Sequence, residues 1–339
     1  MSVRKIFKKA AIGLTLLFSS NIAIAECGEV VLAEMNWSSA QFMAHVDKLI
    51  LESGYGCKVS MVPGATVTTF ASMNEKNKPD VAVQLWTNSI RVPLKVALAK
   101  GSLHSANDHP ISGVTEGWWI SPATVKAHPE LKTVLDVLER PDLFPDTEDP
   151  SKGAFIGCPA GWGCQLVNAN LFRAFEMERK GWKLVDPGSA AGLSGSMTKA
   201  VERGNDWFGY YWSPTAIVRK HKMVKVPFGV PFGGADNWDG CIVKPAQDCA
   251  DPKPSSWTDS VVQTVVTDEF KKKTGSNVVM AYFANRIYPI DALNDMLVYM
   301  TDNQFGGSDA AVEFLLTQEA IWTQWVSADV ATKIKKSIH

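Results

Sequence analysis

The segment Gly157-Cys158-Pro159-Ala160-Gly161-Trp162-Gly163-Cys164 joins an apolar run typical of a strand to a run typical of a helix. It places a tryptophan between two glycines, inside two cysteines close enough in sequence to form a disulfide. Such a turn holds an indole rigidly at a strand-to-helix junction, beside backbone N–H groups that no side chain covers. An aromatic face next to free amide donors suits a small ligand that is cationic at one end and anionic at the other.

Strand-like and helix-like segments alternate on both sides of this turn. Apolar and β-branched runs bounded by turn residues predict strands, and apolar residues at helical spacing predict helices between most of them. Ser38, for example, can cap a helix that ends at Gly54. The alternation predicts an α/β architecture with parallel strands and a mostly helical region beyond residue 256. The predicted strands are 29–33, 58–62, 81–85, 117–120, 154–157, 183–185, 207–212 and 223–226.

The length of the chain, 339 residues, exceeds what one hydrophobic core usually holds, so two lobes are predicted. Breaks near Glu116 and Pro227 mark the expected hinge, where the chain leaves the first lobe and returns to it. The stretch 227–254 is rich in Gly, Pro and Asp, which is typical of a surface loop. The predicted division is a first lobe at 26–115, an inserted second lobe at 116–226 and a return to the first lobe at 227–339.

The N-terminal 25 residues have the pattern of an export signal. A basic cluster at residues 4–9 precedes an apolar core at 10–20 that is too short to span a bilayer. The sequence Ala23-Ile24-Ala25 then matches a signal-peptidase site, which leaves Glu26 as the first residue of the mature chain. The pattern predicts a signal peptide at 1–25 and a periplasmic protein.

Six cysteines in an exported chain predict disulfides, although six cysteines allow fifteen connectivities. Proximity in sequence favours Cys158–Cys164 and Cys241–Cys249, which leaves Cys27–Cys57 by elimination. A loop as short as the first should gain about 2–2.5 kcal/mol from the chain-entropy effect. A redox-active pair is disfavoured, because the spacing is not Cys-x-x-Cys.

Charge and motifs exclude several classes of function. Lys and Arg total 34 against 35 acidic residues, so neither nucleic acid nor an anionic membrane surface is an expected partner. The six histidines show no metal-ligand spacing. Asp236, Asp239 and Asp248 could hold Ca²⁺, but acidic loop residues are more often simply solvated. No metal and no cofactor is therefore predicted.

Enzyme motifs are incomplete. The sequence Gly192-Leu193-Ser194-Gly195-Ser196 is similar to a nucleophile elbow, but Ser196 stands where the last glycine belongs. No Walker loop and no G-x-G-x-x-G following a strand occurs in the sequence. The chain is therefore predicted not to be an enzyme, with an exported hydrolase as a remaining alternative.

Four tryptophans lie at the ends of predicted strands, where ligands bind in open α/β sheets. Each is followed by a turn residue, and together they predict an aromatic cage, although a single tryptophan is more often a core residue. In the run Glu116-Gly117-Trp118-Trp119, strand alternation would turn one tryptophan inward and the other outward. The four cage candidates are Trp37, Trp86, Trp162 and Trp212; Trp182, Trp207, Trp238, Trp257, Trp322 and Trp325 are assigned to packing or the surface.

Glu116 has two possible positions, a ligand pocket or a solvated loop. In a pocket its carboxylate would favour a cation and disfavour a free carboxylate. The alternative binding hypothesis is a sugar or amino-acid receptor that uses tryptophans for stacking. Such a receptor would need many Asp, Asn and Arg side chains around the tryptophans, and the segments that hold the four cage candidates contain few of them.

The Cys-x-x-Gly-Trp-Gly-Cys turn, with Tyr210-Tyr211-Trp212-Ser213-Pro214 and the end of the 81–86 strand, resembles one known family. It is similar to the periplasmic substrate-binding proteins of ABC transporters for glycine betaine, proline betaine and choline. The resemblance implies a two-lobe type II periplasmic binding protein fold that closes at a hinge, and a monomer that serves a membrane permease and its ATPase. It also implies roles for particular residues: cage walls at Trp86, Trp162 and Trp212, carboxylate-binding amides at Gly163 and Cys164, and the family disulfide Cys158–Cys164.

Two features depart from the betaine-binding pattern. Trp37 adds a fourth aromatic, and Glu116 precedes the paired tryptophans. Both features resemble the branch of the family that binds trimethylamine N-oxide, where a carboxylate can face the N-oxide; choline would also tolerate Glu116. The predicted ligand is a methylated ammonium compound, with trimethylamine N-oxide, glycine betaine and choline as the candidates.

Overall fold

The computed structural model describes residues 27–273 and 276–338 of the chain. The predicted signal peptide and the predicted mature terminus at Glu26 lie outside these residues. The strands of the described part are β1 Glu29–Met35, β2 Lys58–Gly64, β3 Val81–Trp86, β4 Leu103–Asn107, β5 Thr115–Ile120, β6 Gly153–Ile156, β7 Trp182–Val185, β8 Phe208–Ser213, β9 Val224–Lys225 and β10 Val262–Thr267.

Helices connect most of these strands. The longest, α1, begins directly after Trp37, and several others begin at Ser or Thr caps whose side chains accept a backbone N–H. The helices are α1 Ser38–Tyr55, α2 Thr66–Lys76, α3 Arg91–Lys100, α4 Pro122–Ala127, α5 Val134–Leu138, α6 Gly163–Ala174, α7 Ala190–Glu202, α8 Ala216–His221, α9 Ala235–Asn237, α10 Asp268–Lys272, α11 Ser276–Asn285, α12 Ile290–Asn303, α13 Gly307–Thr317, α14 Glu319–Trp322 and α15 Ala328–Ile338.

The strands form two sheets of five strands each, with the orders β2-β1-β3-β10-β4 and β7-β6-β8-β5-β9. The chain leaves the first sheet between β4 and β5 and returns to it between β9 and β10, so each sheet is the centre of one lobe. Helices pack on both sheets and give the predicted two-lobe α/β fold. The second sheet draws all its strands from one continuous stretch, and the first sheet is built from both ends of the chain.

Both sheets are mixed, which corrects the prediction of parallel strands. β10 runs antiparallel to β3 and β4, and β5 runs antiparallel to β8 and β9. Strand β4 was not predicted, and β10 lies in the region that was predicted to be mostly helical. The direction of β10 follows from topology, because it enters the first sheet on return from the other lobe.

Helix α8 forms a further connection between the lobes. It directly follows β8 of the second sheet, yet Ala216 is buried in the core of the first lobe. The same helix packs against α12, where Arg219 pairs with Asp291 at 3.0 Å and Lys220 pairs with Asp302. The end of β8 is therefore fastened to the first lobe.

The stretch 227–254 lies mostly at the surface, as its composition predicts, but a few of its residues anchor it in the core. Trp238 and Ile242 are fully buried, and Trp238 belongs to the core that surrounds the second sheet. The amide of Asn170, on α6, donates to the backbone carbonyls of Ile242 at 3.0 Å and Lys244 at 2.8 Å. These hydrogen bonds attach the loop to α6. They also give its buried backbone carbonyls the donors that such groups need.

The predicted disulfides Cys27–Cys57, Cys158–Cys164 and Cys241–Cys249 are all present, which confirms the predicted connectivity.

Residues 192–196, the elbow-like sequence, lie inside helix α7 and not at a strand-to-helix turn. There the hydroxyl of Ser194 bonds the hydroxyl of Tyr211 at 2.9 Å. Within the described residues, no helix is both long and apolar enough to cross a membrane.

Trp118 and Trp119 are both buried, although alternation predicts one inward and one outward side chain. The indole N–H of Trp118 donates to Asn168 Oδ1 at 2.8 Å, and that of Trp119 donates to the carbonyl of Tyr211 at 2.9 Å. Strand β5 lies inside its sheet, and side chains on both faces are covered. Both tryptophans are therefore core residues.

Candidate ligand site between the lobes

The ends of several strands converge on one cavity between the lobes, whose space of about 420 Å³ includes the part that is open to solvent. All seven predicted site residues border it. The first lobe contributes one side of the cavity and the second lobe the other. The lining residues are Trp37, Thr66, Trp86, Asn88, Ser89, Glu116, Trp162, Gly163, Cys164, Val167, Tyr210, Trp212 and Trp257.

Trp37 is held in place by Gln84. Its indole N–H donates to Oε1 of Gln84 at 2.6 Å, and the hydroxyl of Ser39 donates to the same oxygen at 3.0 Å. Gln84 is fully buried in β3, the strand that ends at Trp86. One buried amide therefore fixes the indole at the start of α1 relative to the neighbouring strand.

Trp162 immediately precedes α6 and stands between two other tryptophans. Its ring lies edge-on to Trp37, with centroids 5.4 Å apart, and edge-on to Trp212, with centroids 5.1 Å apart. Edge-to-face packing of this kind is favourable and fixes the direction of each ring. The Trp162 indole N–H donates to Oδ1 of Asn36 in the other lobe at 2.7 Å. Three of the four predicted tryptophans, Trp37, Trp162 and Trp212, thus meet as one cluster across the lobe boundary.

Tyr210 and Trp257 border the cavity but were not predicted as site residues. Tyr210 lies two residues before Trp212 on β8, and strand alternation places both on one face, with rings stacked 6.3 Å apart. That alternation was the available signal. Trp257, which its sequence position assigns to packing or the surface, lies 5.4 Å from the Tyr210 ring. It reaches the cavity through the long connection from β9 to β10, which local sequence does not reveal.

Gly163 and Cys164 are the first residues of α6, a position where backbone N–H groups have no partner within the helix. Gly163 lies directly against Ser89 of the first lobe. A Cβ built on Gly163 would overlap Oγ of Ser89 and lie 2.6 Å from its Cβ. The glycine is therefore required for this close approach of the lobes.

Glu116 lies in the cavity wall and not in a solvated loop. It is only 4% exposed. The hydroxyl of Tyr210 donates to Oε1 at 2.8 Å, and the side-chain amide of Asn88 donates to Oε2 at 2.7 Å. Burial raises the pKa of Glu116 to about 7, because removal from water disfavours the charge more than these donors favour it. The carboxyl group therefore changes charge near neutral pH.

The remaining polar side chains of the cavity are uncharged. Among the lining residues that the structure describes, none is Lys, Arg or His. The indole N–H of Trp212 is buried and has no hydrogen-bond acceptor among the described residues, whereas that of Trp257 is directed toward Glu116. A buried donor without a partner is costly, so the Trp212 N–H is available to a ligand acceptor.

Within residues 27–273 and 276–338, no group of three His, Cys, Asp or Glu side chains is placed to hold a metal ion. Of the three loop aspartates considered for Ca²⁺, Asp239 forms an ion pair with both Nε and Nη2 of Arg91.

Two α/β lobes that enclose an aromatic cavity define a solute-binding protein of the two-lobe periplasmic class. The chain belongs to the OpuAC family, the substrate binding domain of ABC-type glycine betaine transport systems, whose model matches residues 28–316. A search of curated proteins gave no significant match.

Solved structures share this fold at low sequence identity. A choline binding protein of an ABC transporter, in complex with choline, is 16% identical, with 92% of this chain and 99% of that chain covered and a TM-score of 0.71. The glycine betaine/L-proline-binding protein ProX from Borrelia burgdorferi is 15% identical, with 90% and 99% covered and a TM-score of 0.68. Lactococcal OpuAC, closed on glycine betaine, is 14% identical, with 88% and 100% covered and a TM-score of 0.65.

Proposed function

We propose that this protein captures a small methylated ammonium compound in the interlobe cavity and delivers it, chemically unchanged, to the permease and ATPase of an ABC importer. The single observation that carries the proposal is the cluster of Trp37, Trp162 and Trp212 at the junction of the lobes. The export-type N-terminus and three disulfides support a periplasmic location, and we expect a monomer.

A quaternary ammonium group has no N–H, so hydrogen bonds cannot recognise it. Aromatic faces in a site without water can, because the negative face of each ring attracts the cation at about 0.5–2 kcal/mol per ring. Three or four faces and a hydrogen-bonded tail would reach about −8 kcal/mol, which corresponds to micromolar affinity. The cavity has five tryptophans and one tyrosine in its wall.

The other end of the ligand would meet Glu116. A carboxylate ligand would face this acid without any Lys, Arg or His among the described lining residues, and only uncharged donors would be available to it. Choline presents a hydroxyl, and trimethylamine N-oxide presents an oxygen that a protonated carboxyl can bond. We therefore propose these two ligands ahead of glycine betaine.

Isothermal titration calorimetry tests the proposal. The mature protein is titrated with choline, trimethylamine N-oxide and glycine betaine, with maltose and glutamate as controls for the receptor alternative. Binding of one methylated ammonium compound at micromolar or lower Kd is the expected result. Binding of maltose or glutamate alone, or of nothing, would remove the proposal.

The pH dependence of affinity should identify the ligand. A cation such as choline favours ionised Glu116, so its binding should strengthen about tenfold between about pH 6 and about pH 8, across the pKa of this group. Trimethylamine N-oxide needs the protonated carboxyl as donor, so its binding should weaken about tenfold over the same range. Calorimetric Kd values at several pH values measure both slopes.

The control is Glu116→Gln, which retains the shape of the side chain but cannot ionise. In this variant both slopes should disappear. Choline should lose more affinity than glycine betaine, whereas trimethylamine N-oxide should keep most of its affinity, because the glutamine N–H replaces the protonated carboxyl as donor. A slope that persists in the variant, or equal losses for all three ligands, would show that Glu116 has no role in the pocket.

A further inference from the structure

We infer that Asn36 is a positioning residue for ligand retention: it fixes the indole of Trp162 when the lobes are closed, without lining the ligand cavity. The inference rests on the proposed function. Asn36 belongs to the first lobe and lies outside the cavity, so it affects ligand binding only by orienting the Trp162 side chain of the second lobe.

The contact itself joins the lobes. Asn36 follows β1 of the first lobe, and Trp162 precedes α6 of the second. The Trp162 indole is 5% exposed, and its N–H donates to Oδ1 of Asn36 at 2.7 Å. The hydrogen bond is short and half-buried, and Asn36 is the partner that the protein provides for the N–H of this buried indole.

Asn36 is well placed to set the direction of the indole. Its own backbone N–H donates to the carbonyl of Gly64 on β2 at 3.1 Å, which anchors it to the sheet. The next residue, Trp37, is held by Gln84 and meets the Trp162 ring edge-on. Two adjacent residues therefore define both the N–H direction and the ring plane of the opposing wall.

Asn36 lies at the solvent-exposed edge of the interface between the lobes. It borders the solvent-facing cleft on the far side of Trp37 and Trp212, and it is absent from the lining of the ligand cavity among the described residues. A second contact between the lobes, from the N–H of Val67 on α2 to the carbonyl of Gly161, is longer at 3.4 Å. The Asn36 side chain thus supplies the shorter hydrogen bond at this edge of the closed interface.

A contact that exists only in the closed state should act on release and not on capture. When the lobes separate, water satisfies the Trp162 N–H, so the encounter of ligand with the open protein is unaffected. Asn36→Leu should therefore raise the dissociation rate about tenfold, the effect of one hydrogen bond of this kind, with the association rate unchanged. Asn36→Asp retains an acceptor oxygen at the same position and should dissociate at nearly the wild-type rate.

The test is stopped-flow tryptophan fluorescence of wild type, Asn36→Leu and Asn36→Asp with choline, trimethylamine N-oxide and glycine betaine as probes. Small-angle X-ray scattering of the three proteins, without ligand and with each probe, measures lobe closure. A faster dissociation or a larger radius of gyration in Asn36→Leu, rescued in Asn36→Asp, supports the inference.

The outcomes separate the two proposals. If no probe binds wild type, the proposed function fails, and the inference that rests on it fails with it. Equal dissociation rates and equal radii for wild type and Asn36→Leu overturn the inference while leaving the proposed function intact. Equal losses in Asn36→Leu and Asn36→Asp also overturn it, because loss of the acceptor would then not be the cause.

Discussion

Replacing Trp162 with alanine should weaken binding of the preferred methylated ammonium ligand by at least about 100-fold. Trp162 contacts aromatic walls from both lobes, so its removal takes away one cation-binding face and the partner that orients Trp37 and Trp212. Its ring also excludes water from the cavity, and the remaining faces attract a hydrated cation less strongly. Calorimetric titration at neutral pH measures the loss.

The variant should remain folded, because the Trp162 side chain packs at the junction of the lobes and not in the centre of either core. Circular dichroism and thermal unfolding check this point. Trp182→Phe is a matched control: Trp182 is buried in the second lobe, away from the cavity lining, and its N–H donates to the carbonyl of Leu138 at 3.0 Å. It should alter stability and leave affinity intact. Unchanged affinity in Trp162→Ala would refute the aromatic site.

Adding one methyl group at Gly163 should weaken binding by about 10- to 100-fold, as expected for overpacking a close contact. The new Cβ would overlap Oγ of Ser89 and crowd its Cβ, so the lobes could not approach as they do in the structure. Alanine has a higher helix propensity than glycine, so the substitution should not lower the stability of helix α6. The loss should therefore appear in ligand affinity and in lobe closure, measured by calorimetry and small-angle scattering.

A second substitution can reverse this effect. Ser89→Gly removes both atoms that the new methyl group would meet, so the double variant Gly163→Ala/Ser89→Gly should recover most of the affinity. Ser89→Gly alone is the reference with which the double variant is compared, because Ser89 itself borders the cavity. If the double variant binds no better than Gly163→Ala, the contact between the lobes is not the cause of the loss.

Features encoded within a few neighbouring residues could be predicted from the sequence. The predicted strand at 81–85 lies within β3 Val81–Trp86, because a short apolar run followed by a polar turn is a local signal. The strand-end tryptophans were found for the same reason. In an α/β lobe, strand ends gather at one edge, so a sequence position already predicts a position in space.

Features made by distant parts of the chain could not be predicted. β10 has β-branched residues in a region with helical patterns on its C-terminal side, and its place in the sheet depends on β3 and β4. Trp257 enters the cavity only because the connection after β9 folds back over α6. Similarly, the partner of Trp162 is Asn36, which is 126 positions away in sequence, and no spacing rule joins them.

Helix α6 is fastened at both ends, and this has a thermodynamic consequence. The disulfide Cys158–Cys164 closes the turn before it, and Arg173 near its end donates to the carbonyl of Cys249 at 2.8 Å, in the loop closed by Cys241–Cys249. The conformational entropy of this wall is therefore lost when the chain folds and oxidises, and not when the ligand arrives. Because this wall is already ordered, less of the cation–aromatic attraction is offset by ordering when the ligand binds. The disulfides of the oxidised protein therefore increase the affinity for a small solute that has few polar groups.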